Sequence, residues 1–375
     1  MIKQGYIIQA SFFGYVLAQA FLGPFITGVN VYGEFVVAFA PVLLLAGFFE
    51  PIVQKMVLSF EMNGRATVFG ITLQFRYFFI FFYAVGCFFL QVWAFIIEWK
   101  TGWLLITSFL LYCLNILHVT LLYKERDLRK IAFANTSCLI SYLFGLGVVY
   151  FFPGHPELLV ICFIFSQVAS IVVSFKRSLY SFERASINGS FYEVCISALS
   201  WRLPYLAYYP AFFVLLSLVR DVEYTGAMKI IFSALSSLRF LYPVTIPAFL
   251  LLVSDKKYNE VYLHLARMIV LFFVCSLGFF VFKVHFYSVF SIDAAAVDSW
   301  IFIVVPIYLV VPVAMCLAEE CLGALTNLTI ALVFSFGLAF MLLFLDFPPF
   351  LSLFIVVSSH TALVLFLRQK KRTIV

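Results

Sequence analysis

The sequence has little charge. Asp, Glu, Lys and Arg make up 11% of the 375 residues, whereas hydrophobic residues make up 65% and the mean hydropathy is +1.09. Soluble domains carry about 25% charged and about 45–50% apolar residues. No soluble core could bury the 49 phenylalanines and 20 tyrosines of this chain. A soluble globular protein is therefore excluded, and we expect an all-α polytopic membrane protein.

Motifs for several kinds of chemistry are also missing. The sequence contains no G-x-x-x-x-G-K-[ST], H-E-x-x-H or G-x-S-x-G pattern, so ATP hydrolysis and two hydrolase classes are not predicted. Its eight cysteines include no C-x-x-C pair, and its five histidines are scattered. We therefore predict neither a cofactor nor a metal site, and no enzyme activity.

Long apolar runs are what the sequence does contain. A membrane-spanning helix needs about 20 apolar residues, and twelve runs of roughly this length follow one another along the chain. Their approximate bounds are 5–27, 34–56, 72–97, 102–123, 131–152, 157–175, 195–219, 226–253, 263–285, 299–320, 326–345 and 348–367. We therefore predict about twelve transmembrane helices.

Lysine and arginine predict the orientation of these helices. If the connections are numbered from the N-terminal tail, the even ones hold most of the basic residues. The odd ones hold only Lys100, Arg220 and Lys283. The positive-inside rule then places both termini in the cytoplasm, in a multi-pass protein of the cytoplasmic membrane. The net charge of +6 lies mostly beside anionic headgroups, so membrane lipids are predicted partners and nucleic acid is not.

The two halves of the chain resemble each other weakly. Asn30 to Gly33 (NVYG) precedes one apolar helix and Glu223 to Gly226 (EYTG) precedes another, 193 residues later, each on the predicted outer side. Such an offset is typical of parallel six-helix repeats. The longest polar stretch, 176–194, lies between the halves. We therefore predict an N-terminal six-helix bundle (1–175), a cytoplasmic linker (176–194) and a C-terminal six-helix bundle (195–375).

Charged residues inside the runs are the candidate functional residues, because charge is costly in hydrocarbon and usually faces a cavity. The basic candidates are Arg239, near the middle of the eighth run, and Arg202, Lys229 and Arg76. The acidic candidates are Glu50, Glu319 and Glu320. Alternatively, Arg76 and Glu320 mark the ends of spans, Lys229 is an interfacial anchor, and Arg239 and Arg202 are structural charges. Prolines in the seventh, eighth and tenth runs either kink helices around a cavity or are tolerated by packing.

Two stretches resemble a known family. The first is the segment 21–33 (FLGPFITGVNVYG) with the helix after it, and the second is the segment 219–226 (VRDVEYTG) followed by residues 227–257. Both resemble the Wzx-type polysaccharide flippases. These O-antigen and exopolysaccharide translocases belong to the multidrug/oligosaccharidyl-lipid/polysaccharide exporter superfamily.

The resemblance implies two six-helix bundles around a central cavity. It also implies that an undecaprenyl-diphosphate-linked oligosaccharide is moved from the inner to the outer leaflet by alternating access, next to polysaccharide polymerase machinery. Arg239, Arg202, Lys229 and Arg76 would then bind the diphosphate. Glu50, Glu319 and Glu320 would be candidates for ion coupling. Aromatic residues of the seventh and eighth runs would stack on sugars, or form the interfacial belt.

Three other functions remain open at this point. A multidrug or small-molecule exporter of the same superfamily would have an acidic or apolar cavity, whereas the charge within these spans is mainly basic. A membrane enzyme of polysaccharide assembly, such as a polymerase or acyltransferase, would need a large outer loop or a catalytic cluster. A passive scaffold would leave Arg239 without a role.

Overall fold

The protein is built from helices. A computed structural model describes residues 12–59, 73–124, 127–175, 210–238, 258–293 and 297–307, with short stretches within 337–359. No β-strand occurs in these residues. The helices are α1 (Gly23–Ser59), α2 (Leu73–Ile96), α3 (Gly102–Lys124), α4 (Leu128–Phe151), α5 (Pro156–Ser174), α6 (Pro210–Val219), α7 (Val222–Ser236) and α8 (Tyr258–Phe290), and a short π-helix, Ala18–Leu22, precedes α1.

The described helices confirm a polytopic all-α membrane protein. Six helical stretches within the described residues are long and apolar enough to cross a membrane. Their outward faces are apolar: Phe81, Phe88 and Phe95, seven residues apart on α2, are 68%, 73% and 83% exposed. Residues at this spacing lie on one side of a helix. The phenylalanines that no soluble core could hold therefore face lipid. The total of twelve helices stays a prediction.

The first two predicted spans form a hairpin that turns at Gly28. This residue has a φ of 79°, which interrupts the helical geometry of α1. Tyr15 lies 2.9 Å from Ser166 on α5, and the ring of Phe39 lies 4.6 Å from that of Phe163, one turn away. A straight helix would separate residues 15 and 39 by about 36 Å. The chain therefore reverses at Gly28, and the second helix begins about five residues earlier than predicted.

The chain divides into two compact units. The first comprises Met1–Thr27 and Ala38–Leu199, and the second comprises Gly28–Val37 and Ser200–Val375. Within α1, Gly28–Val37 thus belongs to the second unit, and the other residues of the helix belong to the first. The predicted linker, 176–194, lies outside the described residues, so the proposed domain bounds stay a prediction.

Local signals set where several helices begin. Asp127 precedes α4 and accepts a hydrogen bond from the Lys130 backbone amide (3.2 Å), and Asp221 precedes α7 and accepts one from that of Tyr224 (2.6 Å). Such caps pair backbone amides that have no partner within the helix. Pro156 opens α5, where its missing amide hydrogen has no cost. Asp127 and Asp221 thus have structural roles inside polar connections.

Contacts between connections agree with the predicted alternation of sides. In the second unit, the first connection touches the seventh, because Gly33 lies against the backbone of Val222. There, too, Asp298 in the ninth connection accepts a hydrogen bond from the Phe350 amide just after the eleventh (2.7 Å). In the first unit, Lys130 in the fourth connection donates to the Phe175 carbonyl at the sixth (3.0 Å). Each contact joins connections of the same parity, as helices that alternate in direction require.

Pro306, one of the prolines in the tenth run, shows how the fold accommodates proline within a helix. Pro306 has no amide hydrogen, so the carbonyl of Phe302, four residues earlier, loses its helical partner. The Ser276 hydroxyl of α8 donates to this carbonyl at 2.6 Å. A neighbouring helix therefore supplies the missing donor, as a bilayer requires.

Two glycines on α4 provide a matched test of packing. A Cβ on Gly145 would lie 2.6 Å from Sγ of Cys162 on α5, whereas a Cβ on Gly147 would have no atom within 4 Å. We expect Gly145→Ala to lower the free energy of unfolding by about 1–3 kcal/mol through overpacking. Gly147→Ala should leave it unchanged or raise it by up to about 1 kcal/mol. Denaturation in detergent measures both, and equal stability of the two variants would contradict the packing.

Candidate functional site

Lys229 is the basic candidate whose side chain the structure describes. It lies on α7. Lys229 is half-buried, whereas all the remaining residues from Thr225 to Leu235 are buried. Its ammonium is 5.1 Å from the ring centroid of Phe213 on α6. This distance is within the range of a cation–π interaction, about 6 Å. The protein therefore holds a cation on an otherwise enclosed helix.

A line of hydroxyl groups continues from Lys229 along α7. Thr225, Ser233 and Ser236 follow the spacing of one helix face with Lys229 between them. The hydroxyls of Thr225 and Ser236 donate to backbone carbonyls one turn earlier, at 2.9 and 3.1 Å. Each oxygen retains acceptor capacity for another donor. Arg239 comes three residues after Ser236 and lies outside the described residues.

The other predicted residues are only partly placed. Glu50 is half-buried on α1, in the first unit. Arg76 lies on α2, but its side chain is outside the described residues, as are Arg202, Glu319 and Glu320 altogether. The structure therefore does not test whether the basic residues converge. Among the described residues, no three His, Cys, Asp or Glu side chains are grouped to hold a metal.

A neutral hydrogen-bond network in the first unit was not predicted. Ser170 on α5 donates to Oδ1 of Asn115 on α3 (2.8 Å), and Nδ2 of Asn115 donates to Oε1 of Gln167 on α5 (2.7 Å). Nε2 of Gln167 then donates to the Tyr15 hydroxyl of the first helix (3.3 Å). Side-chain amides and hydroxyls therefore join three helices inside the membrane.

The direction of the hydrogen bonds at Tyr15 follows from its neighbours. Ser166 donates its single hydroxyl hydrogen to the Phe163 carbonyl at 2.6 Å, so its oxygen accepts from Tyr15 at 2.9 Å. Gln19 and Gln167 both donate to the Tyr15 oxygen, at 2.7 and 3.3 Å. Tyr15 thus uses its donor and both acceptor sites. It is the point at which the network connects the first helix to α5.

The network holds helices together through uncharged groups. Its amide and hydroxyl groups are uncharged at neutral pH and satisfy one another. The sequence does carry a signal for it, because Gln19, Asn115 and Gln167 each interrupt an apolar run. A search restricted to charged residues misses this signal.

A polar cluster closes one end of the second unit. Asp298 accepts hydrogen bonds from the backbone amides of Trp300 (3.0 Å) and Phe350 (2.7 Å), and Arg220 lies 5.9 Å from the ring of Tyr224. Burial raises the pKa of Asp298, while the two amides and the charge of Arg220 oppose the shift. The cluster joins the seventh, ninth and eleventh connections.

Removing the Tyr15 hydroxyl should destabilise the first unit. Interhelical hydrogen bonds in membranes contribute about 0.6 kcal/mol on average and up to about 1.7 kcal/mol. Tyr15→Phe leaves three side chains without their shared partner, so we expect a loss of about 1–2 kcal/mol. Thr107→Val is the control, because this exposed hydroxyl bonds only to Trp103 of its own helix, and a loss below about 0.5 kcal/mol is expected. Thermal unfolding in detergent compares them, and equal losses would argue against the network.

The raised pKa of Asp298 predicts a pH dependence of stability. Folding favours the protonated carboxyl, so its contribution to stability is complete below the ordinary value of 3.8. That contribution is lost as the pH rises through the raised pKa. Asp298→Asn does not titrate. The melting temperature of the wild type relative to this variant should therefore increase as the pH falls from about 7 to about 4. A constant or decreasing difference would contradict the assignment.

Comparisons with known proteins identify a shared fold but no family. No protein-family model and no curated protein matches the sequence. Three solved structures are similar. The inward-facing conformation of a multidrug resistance MATE family transporter of the MOP superfamily matches with a TM-score of 0.57 and 11% identity, over 98% of this chain and 97% of that one.

The two other structures are less similar. One is an outward-facing multidrug resistance MATE family transporter of the MOP superfamily (TM-score 0.48, 10% identity, 99% and 94% of the two chains). The other is the eukaryotic MATE transporter AtDTX14 (0.46, 13%, 100% and 95%). From the first comparison, the chain shares the fold of the inward-facing transporter over almost its whole length.

Proposed function

We propose that this chain is a membrane transporter that works by alternating access. The observation that carries the proposal is the similarity of nearly the whole chain to a solved MATE transporter, with similar chain lengths. The membrane-spanning helices support it. The protein would then move a cargo without covalent chemistry, and we propose no enzyme activity.

Export of a small molecule is the better supported cargo hypothesis. The solved transporter that shares the fold is a multidrug resistance protein. We therefore propose a small-molecule exporter first.

Flipping of a lipid-linked oligosaccharide is the second candidate, and Lys229 is the observation that favours it. A diphosphate carries negative charge, and an ammonium group beside the hydroxyls of α7 suits an anion better than a cation. In this case Arg239, Arg202 and Arg76 would add further cations, and Glu50, Glu319 and Glu320 would be candidates for ion coupling. The location would be the cytoplasmic membrane with both termini inside, with membrane lipids and polysaccharide polymerase machinery as partners.

Transport by the purified full chain in liposomes would separate the two cargo classes. One assay follows uptake of fluorescent organic cations into these liposomes. The other follows movement of a fluorescent undecaprenyl-diphosphate sugar between leaflets. Activity in the first assay alone supports the exporter, and activity in the second alone supports the flippase. Activity in neither, under both proton and sodium gradients, would count against transport of these cargoes.

Removing the charge of Lys229 tests whether the cargo is anionic, and Lys283 offers a matched control. Both ammonium groups lie over phenylalanine rings, but Lys283 lies on the largely lipid-exposed α8, 3.9 Å from the Phe280 ring. If the cargo is anionic, Lys229→Gln should reduce the transport rate at low cargo concentration about tenfold, or ~1.4 kcal/mol. Lys229→Arg and Lys283→Gln should retain it. Equal losses in Lys229→Gln and Lys283→Gln would exclude a specific role for Lys229.

A further inference from the structure

Helix α8 carries two charged residues of opposite sign near its start. Glu260 and Arg267 are seven residues apart, a spacing that places them on the same side of a helix. Both side chains are exposed. Within the described residues, neither one makes an ion pair or a side-chain hydrogen bond. The described part of the chain therefore neutralises neither charge.

The same side of α8 is apolar and exposed beyond these two charges. At spacings of three and four residues, the positions on this side include Leu263, Val270, Val274 and Leu277. Their side chains are 51%, 63%, 63% and 65% exposed. A phospholipid that lies against this side of the helix would meet charges at one end and an apolar surface along the rest.

The length of α8 indicates the depth of the two charges. The helix has 33 residues, which makes it about 50 Å long, whereas the hydrocarbon core of a bilayer is about 30 Å thick. If the helix extends equally beyond both surfaces, the core begins about 10 Å from its start. Glu260 then lies at the level of the headgroups. The backbone of Arg267, about 14 Å from the start, lies just inside the core.

The side chain of Arg267 extends toward the nearer membrane surface. Side chains of a helix lean toward its N-terminus, which for Arg267 is also the direction of Glu260. An arginine near the end of a membrane helix brings its charge to the interface in this way. This geometry places the guanidinium at the level of the lipid phosphates, with the Glu260 carboxylate farther from the hydrocarbon core.

A phosphoethanolamine headgroup carries its charges in the same order. Its phosphate is next to the acyl chains, and its ammonium lies beyond the phosphate. Arginine binds phosphate through paired, charge-assisted hydrogen bonds, and a carboxylate accepts hydrogen bonds from an ammonium. A choline headgroup has no N–H group to donate. A glycerol headgroup has no cation, so the phosphate charge beside Glu260 would be repelled.

We propose that the start of α8 binds a phospholipid with a phosphoethanolamine headgroup, through Arg267 at the phosphate and Glu260 at the ammonium. These two residues and Leu263 between them form the α8 headgroup site. The basic residues of the connections predict that the site lies in the inner leaflet. It needs neither a cargo nor an ion gradient, so it does not depend on the proposed transport function.

Lipid binding to the purified full chain tests the α8 headgroup site. Delipidated protein in detergent is titrated with phosphatidylethanolamine, phosphatidylcholine and phosphatidylglycerol that have identical acyl chains, and native mass spectrometry measures the first bound lipid. We expect phosphatidylethanolamine to bind about tenfold more tightly than either of the others. Methylation of its amine, one methyl group at a time, should lower the affinity stepwise as N–H donors are lost.

Substitutions at the two charges separate the site from general adhesion of lipid. Glu260→Gln and Arg267→Gln should each remove most of the preference for phosphatidylethanolamine, whereas Arg267→Lys should retain most of it because an ammonium also binds phosphate. Exchanging the charges, Glu260→Arg with Arg267→Glu, keeps the net charge but reverses its order, and should abolish the preference. Arg129→Gln is the matched control, because Arg129 is exposed near the start of α4, a helix without acidic residues.

Equal affinity of the wild type for the three lipids would overturn the proposal, and so would an unchanged preference in the folded Glu260→Gln and Arg267→Gln variants. Tighter binding of phosphatidylglycerol would overturn it as well, because the site would then recognise a phosphate without an amine. Tighter binding of undecaprenyl diphosphate would assign Arg267 to a lipid-linked cargo instead. If a variant does not fold, the methylation series on the wild type decides.

Discussion

The interior of a bilayer offers no water to polar groups, and this constraint shapes the whole protein. Backbone amides and carbonyls are paired within helices. Where proline breaks a pairing, another helix supplies the donor, as Ser276 does for the Phe302 carbonyl. Hydroxyl groups such as that of Thr136 bond to their own helix one turn earlier. Polar side chains are therefore placed where a partner exists, and those that face inward reveal how the helices meet.

The same constraint separates neutral from charged polar groups. In the first unit, Tyr15, Asn115 and Gln167 form an uncharged network that can be satisfied entirely by protein groups. In the second unit, the ammonium of Lys229 lies over the Phe213 ring instead. A neutral network stabilises a bundle at every physiological pH.

The contact between α1 and α7 shows a second consequence. Burial of apolar surface drives helices together weakly in lipid, so close packing has to supply much of the attraction. Glycines at positions 33 and 226 allow backbones to touch, and Gly145 accepts Cys162 for the same reason.

The sequence by itself determined the class, because hydropathy over about 20 residues is a local property. The alternation of sides that the basic residues of the connections indicate stays a prediction. The sequence also indicated Gly33 and Gly226 as corresponding positions, although not that they touch. Only the tertiary structure decided the reversal at Gly28, the network around Tyr15 and the close contact between Gly33 and Gly226. These depend on which helices become neighbours, and a neutral residue such as Gln167 acquires its role only when residues 52 and 152 positions away come within hydrogen-bonding distance.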